Sequence, residues 1–97
     1  IVWARHVIEH SVIPLFTLCE FNRVLKKNGM LYMEVPGADT DAGHTWNANH
    51  YSVFTKSGWF SLLKKSGFEC VDGREYFMEL VNNSGKDSYW GFYCIKN

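Results

Sequence analysis

The stretch IVWARHVIEHSVIPLFTLCEFNRVLKKNGMLYMEVPG, residues 1–37, decides the fold. Its opening, Ile1 to Arg5, is a short run rich in apolar, β-branched and aromatic residues, the composition of a strand covered on both faces in a parallel sheet. Residues 6–13 then form a connection, with Ser11 placed to cap a helix that Pro14 can begin, because proline is accommodated in a first helical turn. From Pro14 to Lys27, the side chains of Leu15, Leu18, Cys19, Phe21 and Leu25 fall within an arc of roughly 160°, which predicts an amphipathic helix. It ends at Lys26-Lys27-Asn28-Gly29, where cations complement the negative end of the helix dipole and Gly29 suits the left-handed cap position. Met30 to Val35 is a second nearly continuous apolar run, stopped by Pro36-Gly37. Strand, helix and strand with short connections make a right-handed βαβ crossover.

Outward from that unit, residues 37–54 are rich in Gly, Asp, Asn, His and Thr and are too long for a simple connector, which marks a functional loop. Thr55 is suited to cap a second helix carrying Trp59, Leu62 and Leu63 on one face and closed by Ser66-Gly67. Phe68 to Val81 has strand character, Asn82-Asn83-Ser84-Gly85 is a strong turn signal, and Tyr89 to Ile95 is an aromatic strand, so the last two runs form an antiparallel hairpin. The order β-α-β-α-β-β describes a three-layer α/β element with a C-terminal antiparallel hairpin. Trp3, Trp59 and Trp90 are expected in its core.

With 97 residues the chain supports one small core, and 46% hydrophobic residues against 21% charged describe an ordinary globular domain. Ten basic and ten acidic side chains cancel, and like charges run no longer than the pairs Lys26-Lys27 and Lys64-Lys65. No basic stripe is present of the kind that displaces counterions from nucleic acid. Cys19, Cys70 and Cys94 are odd in number and set in apolar runs, which suits buried thiols in a reducing, cytoplasmic setting. No segment approaches the length of a membrane span.

Arg5 to His10, RHVIEH, contains H-x-x-E-H, the inverted zinc-protease signature. Such a site needs both histidines on one face of a continuous helix, plus a third ligand. A strand before His6 and Pro14 after His10 leave room for one or two turns at most, and His44 or His50 would have to complete the set. A zinc hydrolase using His6, Glu9 and His10 is therefore a subordinate reading, and no metal ligand is assigned.

The same segments resemble class I S-adenosylmethionine-dependent methyltransferases. Val7-Ile8-Glu9-His10 matches the family's connection after its fourth strand. Glu20, Arg23-Val24-Leu25-Lys26, Gly29 and Glu34-Val35-Pro36 match the following helix and fifth strand. His50-Tyr51-Ser52-Val53-Phe54-Thr55 and Leu62-Leu63-Lys64-Lys65-Ser66-Gly67-Phe68 are similar to the region downstream. The resemblance implies a partial Rossmann-like methyltransferase fold, with residues 1–97 as the C-terminal portion of the domain. The glycine-rich turn and the ribose-binding acid of the family have no counterpart here.

The resemblance also implies a function. S-adenosylmethionine would be the cofactor of the full-length protein, its methionine end lined by Ala4, Arg5 and His6. Glu9, Pro36, Gly37, His44 and Tyr51 would shape the side of an unidentified methyl acceptor, and His10 or His50 could take its proton. The chain alone is expected to be inactive, and the unpaired edge of an interior strand predicts self-association through residues 1–5. A noncatalytic α/β interaction module is the alternative.

Overall fold

The run from Ile1 forms β1 (Val2–Arg5), and the remaining elements follow as α1 (Pro14–Val24), β2 (Met30–Pro36), α2 (Lys56–Lys65), β3 (Phe68–Glu79) and β4 (Lys86–Lys96). This computed structural model describes residues 1–37, 44–79 and 86–97, with backbone alone for residues 44, 72–79 and 86–88. Single 3-10 turns at Ile8–His10 and His44–Trp46 punctuate the connections. The expected turn at residues 82–85 lies outside the described residues. Among the described residues no helix is long and apolar enough to cross a membrane.

The four strands lie in the order β1-β2-β4-β3. β1 and β2 are parallel neighbours joined by the α1 crossover, and β3 and β4 form the expected antiparallel hairpin. Its second strand, not its first, lies against β2, pairing Met30 with Ile95 and Pro36 with Tyr89. Side chains alternate across a strand, so the register sends Ala4, Leu31, Met33, Val35, Phe92 and Cys94 to one face, where Leu18, Trp59 and Leu63 of the helices complete the core. Each large apolar side chain among them, fully buried, contributes on the order of 1.5–3 kcal/mol. Among the described residues the helices cover this face only, so two of the three expected layers are present.

The opposite face carries an aromatic row. Trp3 stacks on Tyr32 with ring centroids 4.3 Å apart, and Tyr32 meets Tyr93 at 4.8 Å. Trp3 is therefore a surface residue, 63% exposed, and not the core residue expected. Strand alternation points it away from the helices. Trp59 is fully buried and Trp90 packs against the core, as expected. Cys94 is buried and Cys70 partly so, but Cys19 lies on the outer side of α1 and is exposed.

The local capping signals are realised in part. Thr55 caps α2 by accepting from the Gly58 backbone N–H, and Gly67 follows with a φ of 89° that a glycine adopts freely. Ser11 does not cap α1; its hydroxyl pairs with Thr17 Oγ1 at 2.9 Å, and Ile13 occupies the cap position without a side-chain bond. α1 stops at Val24, three residues short of the expected Lys27, because Leu25 leaves the helix in extended conformation to enter the core. The cation at its negative end is Lys96 of β4, whose Nζ donates to the Asn22 and Leu25 carbonyls at 2.6 and 2.8 Å. Asn28, with φ 62°, takes the left-handed position expected for Gly29. Gly29 answers a different need, since a Cβ there would stand 2.8 Å from the Lys26 carbonyl oxygen.

Candidate functional site

In an open α/β sheet, ligands bind beyond the carboxyl ends of the parallel strands. Here those ends are Arg5 and Pro36, and two polar groups of side chains meet beside them. The first is centred on Glu34, two residues before the end of β2, whose side chain is 13% exposed. Glu34 accepts the Tyr32 hydroxyl at 2.7 Å, His6 Nε2–H at 3.0 Å and Arg5 Nε–H at 3.2 Å. Burial pushes its carboxyl upward, but the Tyr32 hydroxyl, the Arg5 guanidinium and His6 together outweigh that and hold it below the ordinary glutamate value. Glu34 is an anion built into the rim.

His6 reaches Glu34 through an uncommon backbone. It is a non-glycine residue with φ 55°, and its own N–H donates to the Glu34 carbonyl at 3.0 Å, so β1 ends in a turn that folds the imidazole back over β2. Its ring also meets the edge of Tyr89 at 4.8 Å. On the far side, Nδ1 lies 3.6 Å from Glu9 Oε2, too long for a good hydrogen bond, and with the Nε2 proton given to Glu34 the two attract only when the ring carries a second proton.

Glu9 begins the second group. Its side chain is 1% exposed, and Oε1 has no hydrogen-bond partner among the described residues. Its backbone carbonyl accepts from both Tyr51 N–H at 2.8 Å and Ser52 N–H at 3.0 Å, and Ser52 Oγ donates to the Ser11 carbonyl at 2.5 Å. These bonds fasten the turn after β1 to the segment after residue 49. They place His10 against His50, ring centroids 4.9 Å apart and planes at 72°. His10 Nδ1 lies 2.7 Å from the Asn49 carbonyl, which can only accept, so Nδ1 carries a proton and, in the neutral ring, Nε2 carries the lone pair.

The residues singled out from sequence thus separate by position. Ala4 is a core residue whose methyl points under the helices, leaving only its backbone at the rim. Arg5 and His6 converge on Glu34, while Glu9, His10 and His50 converge on each other. Pro36 and Gly37 are buried at the end of β2, and Tyr51 stands out at 64% exposure. The side chain of His44 lies outside the described residues. Sequence reasoning missed Tyr32, Glu34 and Tyr89; the i, i+2 spacing of Tyr32 and Glu34 in an otherwise apolar strand was the available signal.

The H-x-x-E-H spacing does not make a helical zinc pair. Residues Ile8–His10 form one 3-10 turn, and His6 and His10 face different partners. Cavities of about 310 Å³, beside Phe68 and Asn97, and about 400 Å³, beside Ile1 and Gly29, both lie at the amino ends of the parallel strands, away from this rim.

No protein-family model and no curated protein sequence matches the chain. Among solved structures it is similar to a methyltransferase candidate from Bacillus halodurans C-125, with a TM-score of 0.81 and 17% identity over 98% of this chain and 68% of that one. It is also similar to the [4+2]-cyclase SpnF, with a TM-score of 0.75 and 15% identity over 97% of this chain and 48% of that one. The chain thus has a class I methyltransferase-like fold, as its sequence segments implied. It spans about half to two thirds of the length of these neighbours. A cyclase among them illustrates that one fold hosts several chemistries.

Proposed function

We propose that residues 1–97 form the acceptor-side, C-terminal portion of an S-adenosylmethionine-dependent methyltransferase whose cofactor half lies outside them. One observation carries this reading: the turn His6 to His10 stands at the carboxyl rim of the parallel β1–β2 pair, in a fold shared with a methyltransferase candidate over nearly the whole chain. The residues present fit one end of the cofactor. Arg5, exposed although its Nε already donates to Glu34, would reach a carboxylate with the rest of its guanidinium, and His6 with the β1 backbone would line the methionine and methyl end. Nothing in the sequence supplies the glycine-rich turn or ribose-binding acid for the other end.

When bound, the cofactor supplies an electrophilic methyl group. The chain's own residues would orient the acceptor and receive its proton. Alignment of the two reactants can supply about 7–11 kcal/mol. His10 Nε2, proton-free in the neutral tautomer that Asn49 fixes, is the nitrogen best prepared to accept a proton, with His50 beside it, and Pro36, Gly37 and Tyr51 would shape the acceptor side. The acceptor itself is unassigned.

The test is transfer of a labelled methyl group by the 97-residue chain and by any longer polypeptide that contains it. The short chain should show no turnover and the longer one transfer, with His10→Ala or His50→Ala lowering kcat by roughly 10²–10⁴-fold. A longer product that does not bind S-adenosylmethionine would overturn the proposal in favour of a noncatalytic α/β module.

A further inference from the structure

Glu9, His10 and His50 each bring one ligand atom to positions within 4.8 Å of one another, and we infer that this trio is a divalent metal site of the Zn²⁺ class. Two imidazoles and one carboxylate are a donor set that zinc accepts, with a fourth position left for water or an anionic oxygen. Tetrahedral coordination at about 2.0–2.1 Å sets neighbouring donor atoms roughly 3.4 Å apart. Closing the widest gap the trio allows, from 4.8 Å to that spacing, therefore takes at most about 1.4 Å shared between two side chains.

Two observations besides proximity point to a cation. Glu9 is almost wholly buried, yet its Oε1 has no hydrogen-bond partner among the described residues. A buried carboxylate oxygen left unpaired is costly, and a metal ion would satisfy it. His10 is also arranged as a metal-ligating histidine usually is: Nδ1–H donates to a backbone carbonyl, that of Asn49 at 2.7 Å, which fixes the tautomer and leaves Nε2 to bind.

The frame is built before any ion arrives. The paired bonds from Tyr51 and Ser52 to the Glu9 carbonyl hold residues far apart in sequence in a fixed relation, so the ligands need no folding of a loop to meet. Glu9 forms the floor, while His10 is exposed and His50 half-buried, which leaves an entry path from solvent. The H-x-x-E-H pattern thus holds two of the ligands, Glu9 and His10, and omits the third.

Metal binding by this trio does not depend on methyl transfer: with the ion bound, His10 Nε2 is a ligand and no longer the proton acceptor proposed above, and a chain that binds the ion without transferring a methyl group keeps the site. The experiment is titration of untagged, metal-stripped protein with Zn²⁺ and with Co²⁺, reading stoichiometry, affinity and the Co²⁺ ligand-field absorption. One ion per chain is expected. Glu9→Gln and His50→Ala should each weaken binding by at least the roughly 10–100-fold that changes to outer-layer partners cost. Two-bond ¹H–¹⁵N spectra should show His10 bound through Nε2 with Nδ1 still protonated. His50→Ala removes a half-buried side chain, and its circular dichroism reports whether the fold is kept. A stoichiometry near zero, or affinity unchanged in both a folded His50→Ala and Glu9→Gln, would overturn the assignment.

Discussion

Replacing Tyr32 by phenylalanine isolates the contribution of one hydroxyl to the rim. The ring stays, and with it the stacking on Trp3 at 4.3 Å and the contact with Tyr93 at 4.8 Å, so the change removes chiefly the 2.7 Å bond to Glu34 Oε2. Hydrogen bonds to charged groups contribute about 1.5–3 kcal/mol, and Tyr32 is buried, so a loss in that range is expected near neutral pH. The sign of the pH dependence comes from the direction of the Glu34 shift. Its carboxyl is held below the ordinary value of 4.5 in the folded chain, so its stabilising contribution is present above the unfolded value. That contribution fades as pH falls through the folded value. Because Tyr32 is one of the groups holding Glu34 down, Tyr32→Phe raises the folded value toward the unfolded one, and wild type and variant should converge in stability on acidification. Urea unfolding of both proteins at pH about 7 and about 3, analysed at matched slopes, measures the convergence. An equal gap at both pH values, or a gap under about 0.5 kcal/mol at neutral pH, would refute the account of Glu34 as a charge held by its neighbours.

Other perturbations test the frame around the site. Leu18→Ala empties a fully buried position where α1 meets the sheet and should cost about 2–5 kcal/mol, read as a lowered urea midpoint. Gly67→Ala places a Cβ 3.0 Å from Asn22 Nδ2 on a backbone with φ 89°, and a loss of at least about 1 kcal/mol is expected by thermal unfolding. Thr55→Ala removes the cap of α2 and should cost about 1 kcal/mol on the same assay. The outer edge of β1, with Ile1 and Trp3 exposed beside it, is expected to pair with a second copy at high micromolar concentration. Light scattering should report dimers or larger species that Trp3→Lys disperses; a wild-type monomer throughout would exclude that association.

The βαβ unit and the hairpin were legible because each rests on local signals: continuous apolar runs, a 3.6-residue period and turn residues at the right places. What escaped reading was set by distance along the chain. Alternation alone assigns Trp3 to one face of a strand without saying which face the helices cover. Nothing local indicates that β4 and not β3 lies beside β2, since either order joins the hairpin strands equally well. The choice of Asn28 over Gly29 for the left-handed position depends on where Leu25 leaves the helix, and that depends on the core. The site divides in the same way. Glu9 and His10 were visible in one motif, but His50 joins them through backbone bonds from Tyr51 and Ser52, which no spacing rule encodes. Glu34 stands in sequence as the polar exception in a buried strand, and its three donors come from β2 itself and from the end of β1.

The position of β4 has a kinetic consequence. The inner flank of β2 is completed by residues that follow it by about 50 to 65 positions, whereas its other flank is supplied by β1 across a single short helix. Contacts that distant must wait for loop closure, which makes their formation slow relative to the helices. During synthesis, β2 would spend an interval with one ladder of backbone donors and acceptors unfilled while the ribosome delivers its mate. The strand that carries Glu34 into the rim thus gains its second neighbour only when residues 86–96 have emerged, although the three donors to Glu34 all precede them in the chain.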